Sequence, residues 1–210
     1  MDVTLCIRTH TPRLYLADDL KAMCERAFPE SPIYMCDNLD PSPQYSEQFI
    51  ANLCAMSSLF TTEYVLIIED DITLSPKARA AVDVAINRGD LHNWYTVDTT
   101  SDILQKSTCV PGYGYILSSA KGVSYSGSIL LRTSDLLGFL SDYLLHYAEL
   151  EFTNIDTNLS AYLFREHGHL HLRPGYFLQR PNIESSIIFP QSGRKYYDPS
   201  ETFTYIGPEV

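Results

Sequence analysis

The most constraining feature of the sequence is a run of five apolar residues, 64–68, that leads directly into three consecutive acids, 69–71. No position in the run is charged, and strands that are buried on both faces of a parallel sheet have this pattern. Two strand-and-helix units precede the run, with strand patterns at 3–7 and 32–36 and helical patterns at 16–27 and 44–60. This alternation predicts an α/β fold with a mainly parallel central sheet flanked by helices.

Strand and helix patterns continue through the rest of the chain. Ser75 and Pro76 are predicted to cap and begin a helix, and Gly89 to end it. Further strand patterns lie at 94–97, 112–117, 126–132 and 169–172, and further helical patterns begin at Ser134 and at Asp156 or Thr157. A length of 210 residues suits a single domain with a sizeable core. The segment 191–210 is polar and aromatic, which predicts an arm over the domain or a linker to further domains.

The charge and the cysteines exclude several classes of protein. The chain has 26 acidic and 15 basic residues and a formal net charge of −11, so it lacks the clustered bases that nucleic acids and anionic membranes require. No apolar run approaches the ~20 residues of a membrane helix, and the N-terminus shows no signal-peptide pattern. The five cysteines form no C-x-x-C pair, which favours free thiols and a cytoplasmic location.

Polar residues follow four predicted strands at the points where those strands end. Arg8 and Thr9 follow the first strand, Asp37 the second, 69–71 the third and Asp98 the fourth. In parallel α/β sheets, ligands bind at the carboxyl ends of the strands. The sequence therefore predicts one ligand-binding edge that is formed by these four strand ends.

The three consecutive acids are the candidate metal site. Residues i and i+2 of an extended segment point the same way, so Glu69 and Asp71 can share one ligand while Asp70 points elsewhere. Oxygen ligands at the mouth of a cleft suit Mg²⁺ or Mn²⁺. The alternative is a solvated turn whose acids help to start the helix at Ser75.

The sequence contains neither of the two common phosphate-binding motifs. Without G-x-x-x-x-G-K-[ST] or G-x-G-x-x-G after the first strand, Walker NTPases and Rossmann dinucleotide enzymes are disfavoured. A bound nucleotide would then need a metal and arginines for its phosphates, and Arg8 and Arg13 flank the loop that follows the first strand. Arg13 is alternatively an ordinary surface base, whereas Arg8 lies at an apolar strand end and needs a partner.

A Thr-containing loop after the first strand and an E-D-D form of the D-x-D motif after an apolar strand together resemble the GT-A-fold glycosyltransferases, which use nucleotide sugars. The segment 176–186 is similar to the Gln-His…Ser-Ser stretch of N-acetylglucosaminyltransferase-IV-like members, and a small viral member matches in the order of elements. The resemblance implies a single GT-A-like, Rossmann-like domain. Residues 1–100 would form its nucleotide-binding half and 101–190 its donor-sugar and acceptor half.

The resemblance also implies roles for individual residues. Asp71 would ligate the metal, Glu69 would reach the ribose or a metal-bound water, and Asp37 would contact the base or ribose. Gly127 and Ser128 would lie beside the donor sugar. The residues implied to bind the nucleotide or donor are Arg8, Thr9, Arg13, Asp37, Glu69, Asp70, Gly127, Ser128 and Arg180.

An acid at the start of a late helix deprotonates the acceptor in inverting members of this family. Asp156 occupies that place, with Glu151 as the reserve candidate, although Asp156 is alternatively a helix N-cap. One base without a protein nucleophile would invert the stereochemistry at the anomeric carbon, and a retaining arrangement also fits the sequence. The implied reaction is metal-dependent transfer of a hexose or deoxyhexose from a UDP-sugar to a glycan hydroxyl. The location would be cytoplasmic, in the host's cytoplasm if the protein is viral.

One departure from the family pattern concerns the metal. The family's histidine after Gln179 is replaced by Arg180, so a replacement ligand would come from His171 or His169, or from water. His169 is alternatively a surface histidine of a strand. Arg180 itself could steady the departing diphosphate.

Two other interpretations of the sequence remain. Residues 65–73 approximate the h-h-h-h-D-x-D-x-T start of haloacid-dehalogenase-type phosphatases, with Glu69 in the place of the nucleophilic Asp. The longer side chain would misplace the attacking carboxylate. The other alternative is a carbohydrate- or nucleotide-binding module without turnover.

Overall fold

The computed structural model describes residues 3–38, 45–96, 102–111, 113–118, 123, 127–146 and 155–180. The strands are β1 Val3–His10, β2 Ile33–Asn38, β3 Tyr64–Glu69, β4 Ile72–Leu74, β5 His92–Trp94, β6 Thr108–Val110, β7 Gly114–Leu117, β8 Ser128–Arg132, β9 Leu170–Leu172 and β10 Phe177–Gln179. The helices are α1 Leu14–Ala27, α2 Tyr45–Met56, α3 Ala78–Arg88, α4 Asp102–Gln105, α5 Thr133–His146 and α6 Ile155–His167. Short 3₁₀ turns occupy Thr11–Arg13 and Ser57–Leu59.

The central sheet has eight strands in the order β2-β1-β3-β8-β5-β9-β7-β6. β1 pairs in parallel with β2 and β3, and β5 pairs in parallel with β9. β8 runs antiparallel between β3 and β5, and β7 runs antiparallel to β6 and β9. The predicted α/β fold is confirmed, with a parallel first half and a mixed second half.

Apolar residues on both faces of the sheet anchor the helix layers. All eight residues of β1 and the first five of β3 are buried, because these strands lie inside the sheet with helices on both sides. One face packs with α2, α5 and α6, through residues such as Phe49, Phe139 and Leu163. The other face packs with α1 and α3, through residues such as Leu20 and Val82.

The helix predicted to begin at Pro76 begins two residues later. α3 starts at Ala78 with Lys77 as its N-cap, and no side chain caps the helix. Ser75 instead contributes its backbone carbonyl, which accepts a hydrogen bond from the Ala78 N–H at 3.0 Å. Gly89 ends the helix as predicted, since its φ of 69° is left-handed and its N–H bonds back to the last turn.

A second, two-stranded sheet closes over the acids. β4 follows them directly and pairs antiparallel with β10, so that the Arg180 N–H donates to the Asp71 carbonyl at 2.7 Å. The predictions for Asp98, Glu151 and the arm at 191–210 lie outside the described residues. Within the described part of the chain, no helix is long and apolar enough to cross a membrane.

Candidate active site

The ends of β1 and β3 and the approach to β8 meet at one edge of the sheet. Arg8 stands opposite Glu69 in the parallel register, and the Asp70 N–H donates to the Arg8 carbonyl at 3.0 Å. The Glu69 N–H donates to the Gly127 carbonyl at 2.8 Å. Because β8 runs antiparallel to β3, its first residue lies at the edge where β3 ends. The structure therefore brings together the predicted residues of β1, β3 and β8.

Asp70 is the most enclosed of the three acids. The Thr9 hydroxyl donates to Asp70 Oδ2 at 2.7 Å, the Arg13 guanidinium lies 2.7 Å from Asp70 Oδ1, and the His10 ring nitrogen Nδ1 lies 3.9 Å from Oδ2. Burial raises the pKa of Asp70 to about 6, although Arg13 and the Thr9 hydroxyl act in the opposite direction. Asp70 thus binds Arg13 and Thr9 and anchors the loop that follows β1.

Asp71 has one carboxylate oxygen that no residue in the described part of the chain contacts by a hydrogen bond. Its Oδ2 atom lies 3.3 Å from the Arg13 guanidinium and accepts a hydrogen bond from the Gln179 amide at 3.3 Å. Its Oδ1 atom is buried and has no hydrogen-bond partner among the described residues. A buried carboxylate oxygen in this situation calls for a cation or water.

Arg8 connects two acids that are far apart in the sequence. Its Nη1 atom lies 3.0 Å from Glu69 Oε1 and 3.4 Å from Asp156 Oδ1, and its guanidinium carbon lies 4.5 Å from the ring centroid of Phe49. Burial raises the pKa of Glu69 to about 8, while Arg8 lowers it and the neighbouring acids raise it further. The predicted base Asp156, in the first turn of α6, therefore belongs to the same site as the three acids.

Asp37 lies beside this edge at the end of β2, paired in register with Thr9. The Asn52 side-chain amide of α2 donates to the Asp37 carbonyl and to Asn38 Oδ1, both at 2.8 Å. Asp37 Oδ1 is buried and has no hydrogen-bond partner among the described residues. The end of β2 is therefore held in place with a carboxylate oxygen available to a ligand.

Gly127, which leads into β8, is packed closely against Ile72 of β4 and Thr96. A side chain at Gly127 would place its first carbon 2.8 Å from Ile72 Cδ1 and 3.0 Å from Thr96 Cγ2. The Ser128 and Thr96 hydroxyls share a hydrogen bond of 2.6 Å, and Thr96 also donates to the Phe177 carbonyl at 3.2 Å. This arrangement fixes Gly127 and Ser128 next to the end of β3.

Two predicted residues are not directed at the acids. His171 lies in β9, three strands from β3. Across the sheet, His171 is paired with Asn93 of β5, Asn93 with Leu130 of β8, and Leu130 with Leu66 of β3. Leu66 comes five residues before Asp71. Adjacent strands are about 4.8 Å apart, so His171 cannot share a metal with Asp71, and that prediction does not fit the fold. Arg180 bonds outward, with Nη1 2.7 Å from Asp19 Oδ2 and Nε donating to the Ile72 carbonyl.

Four residues of the site carried no functional assignment from the sequence. Each of them contacts a predicted site residue; they are His10, Phe49, Asn52 and Gln179. The sequence marks Gln179 only as part of the segment 176–186, which is similar to the family's Gln-His stretch. The other three have side chains that any strand end or helix can carry, and no local pattern distinguishes them.

The carboxylates at this edge suit a metal ion whose coordination is completed by water and by a bound ligand. No three His, Cys, Asp or Glu side chains among the described residues form a metal group of their own. Mg²⁺ commonly binds through one or two protein carboxylates, with water and substrate phosphates filling the remaining positions. The unpartnered Oδ1 atom of Asp71, with Glu69 two residues earlier, fits such a site.

The sheet order and the helix layers on both faces define the chain as a GT-A-like α/β domain. Its fold is similar to that of a glycosyltransferase involved in the glycosylation of the major capsid of PBCV-1, with a TM-score of 0.53, 10% identity, and coverage of 86% of this chain and 94% of that one.

Two further solved structures show weaker similarity. They are a nucleoside-diphosphate-sugar pyrophosphorylase from Vibrio cholerae (TM-score 0.47, 13% identity, 85% of this chain and 77% of that one) and a putative glucose-1-phosphate thymidylyltransferase from Bacillus anthracis (TM-score 0.47, 12% identity, 84% and 89%). No protein-family model matches the sequence, and no curated protein matches it at a significant level.

Proposed function

We propose that this protein is a metal-dependent glycosyltransferase that moves a hexose or deoxyhexose from a UDP-sugar to a hydroxyl of a glycan acceptor. The observation that carries the proposal is the Oδ1 atom of Asp71 at the carboxyl edge of the sheet, which is buried and has no hydrogen-bond partner among the described residues. The candidate base Asp156 lies at the same edge, connected to it through Arg8. The fold similarity to a glycosyltransferase supports the same class of reaction.

Asp71 and Glu69 are the residues proposed to hold Mn²⁺ or Mg²⁺. When bound, the metal would neutralise the charge that develops on the leaving nucleoside diphosphate. Gln179 orients Asp71 through the bond to Oδ2, and the Arg180 N–H holds the Asp71 backbone. The site therefore supplies a carboxylate that is already oriented before the donor arrives.

The donor is proposed to lie along the ends of β1, β2 and β8. Asp37 would accept a hydrogen bond from the ribose or base, and Gly127 and Ser128 would line the sugar. Thr9 and Asp70 would shape the nucleotide side of the site. Arg13, whose guanidinium lies 3.3 Å from Asp71 Oδ2, could reach a phosphate.

Asp156 is proposed to take the proton from the acceptor hydroxyl. Its side chain is 13% exposed, which allows contact with an acceptor while shielding the carboxylate from bulk water. A single general base and no protein nucleophile would invert the anomeric configuration. The haloacid-dehalogenase alternative would need Glu69 as its nucleophile, but the longer side chain would misplace the attacking carboxylate, and Glu69 Oε1 lies 3.0 Å from Arg8 Nη1.

Calorimetric titration with UDP tests the metal-dependent binding. We expect UDP to bind the wild type only when Mn²⁺ is present, and Asp71→Asn to remove that binding. Asp18→Asn is the matched control, because Asp18 is an exposed acid on α1. Equal UDP binding without metal, or no binding at all, would refute the metal-dependent site.

Donor turnover separates an enzyme from a binding module. We expect release of UDP from a UDP-sugar in the presence of an acceptor, and loss of this release in Asp156→Asn with UDP binding retained. Phosphate release from a phosphomonoester would instead favour the phosphatase, and binding without turnover would favour the module. A donor screen by detection of the released nucleotide identifies the sugar.

A further inference from the structure

The side chain of Arg8 is enclosed by protein groups at the candidate active site. It is 7% exposed, lies over the Phe49 ring, and forms ion pairs with Glu69 and Asp156. An arginine guanidinium can stack on an aromatic face and bind carboxylates with its edge at the same time. Its surroundings are therefore those of a residue that binds other side chains rather than a phosphate.

The position of Arg8 links two separate parts of the fold. Glu69 ends β3, whereas Asp156 lies in the first turn of α6 and is 148 residues away from Arg8 in the sequence. Both carboxylates contact the same atom, Arg8 Nη1, at 3.0 and 3.4 Å. This guanidinium therefore connects the Asp156 carboxylate directly to the end of β3.

We infer that Arg8 is a positioning residue, which holds the carboxylate of Asp156 at the edge where the donor would bind, and that it is not a ligand of the nucleotide. The inference rests on the proposed role of Asp156 as the base. The contact with Arg8 Nη1 at 3.4 Å restrains the Asp156 carboxylate, which is the group proposed to take the proton. The Phe49 ring and Glu69 limit the directions in which the guanidinium can turn.

Lysine cannot replace this arrangement fully. An ammonium group keeps the positive charge but lacks the planar surface that stacks on Phe49, and its flexible stem does not fix the direction of its N–H donors. Arg8→Lys is therefore expected to retain part of the rate, and Arg8→Met to lose more. A displacement of about 1 Å at a reacting group can cost about 100-fold in rate.

The test compares turnover with nucleotide binding. For Arg8→Met we expect kcat to fall about 100-fold, while the KM for the donor and the Kd for UDP with Mn²⁺ stay within about twofold of the wild type. Arg8→Lys should restore part of kcat. In the double variant Arg8→Met/Asp156→Asn, kcat should be no lower than in Asp156→Asn alone, because Arg8 acts through Asp156.

Phe49→Leu provides a second variant if Arg8→Met does not fold. It removes the ring under the guanidinium while retaining both charges, and we expect a smaller fall in kcat with unchanged UDP binding. The inference is overturned if an Arg8 variant loses UDP affinity to the extent of Asp71→Asn while keeping its kcat. It is also overturned if the fold-losses in kcat of Arg8→Met and Asp156→Asn multiply in the double variant. Failure of the proposed function is distinguishable, because UDP with Mn²⁺ would then not bind the wild type.

Discussion

A buried histidine far from the candidate active site should make the protein sensitive to acid. His171 is 6% exposed, and its Nδ1 atom is buried without a hydrogen-bond partner among the described residues. The rings of His92 and His169 lie 5.8 and 5.2 Å away between centroids. Burial lowers the pKa of His171 to about 4, with Arg173 and His169 acting in the same direction.

The sign of the effect follows from proton uptake. The unfolded chain binds a proton at His171 near the ordinary pKa of 6.5, whereas the folded chain binds it near 4. This contribution to stability is therefore complete above pH 6.5 and is lost as the pH falls towards 4. Between about pH 7 and pH 5, the loss from His171 alone amounts to roughly 2 kcal/mol.

Urea unfolding of the wild type and of His171→Gln at these two pH values measures this loss. Glutamine keeps a polar side chain but cannot be charged. Between pH 7 and pH 5, the free energy of unfolding of His171→Gln should therefore fall by about 2 kcal/mol less than that of the wild type. His146→Gln, at the exposed end of α5, is the control and should follow the wild type. The reasoning is refuted if His171→Gln and the wild type lose equal stability on acidification.

Three further substitutions test the packing around Gly127, the end of α3 and the charge of the site. Gly127→Ala should lower the free energy of unfolding, measured in urea, by about 1–3 kcal/mol, because the new methyl carbon would lie 3.0 Å from Thr96 Cγ2. A variant as stable as the wild type would contradict this tight contact. Gly89→Ala should cost about 1 kcal/mol in a thermal melt because φ is 69° with open space around it, and an unchanged midpoint would argue against that strain. Arg13→Gln should strengthen the binding of Mn²⁺ alone about tenfold, because the guanidinium lies 3.3 Å from Asp71 Oδ2; calorimetry showing equal or weaker binding would count against this competition.

The sequence predicts the first half of the fold well because its strands are long and buried. β1 is largely apolar over residues 3–7 and β3 is apolar over residues 64–68, and their polar ends identify the edge that carries Arg8 and Glu69. The need of Arg8 for a partner follows from its place at an apolar strand end. Its two carboxylate partners could not be identified from the sequence, because Asp156 comes from a helix whose position depends on tertiary packing.

The second half is harder to predict because its strands are short. β4 and β10 have three residues each, too few to show alternation. The order of strands in the sheet is not encoded in local periodicity, so the sequence alone offers His171 as a candidate metal ligand although β9 lies three strands from β3. Ser75 and Pro76 show the limit of local signals at a helix start, since a turn separates them from α3.

The distant contacts at the site have a consequence for synthesis of the chain. Asp71 bonds to Gln179, which lies 108 residues later in the sequence, and Arg8 reaches a partner still further away. A chain emerging from the ribosome cannot complete this edge until β10 has left the exit tunnel. A ligand that binds at this edge would therefore stabilise only the finished fold, by mass action.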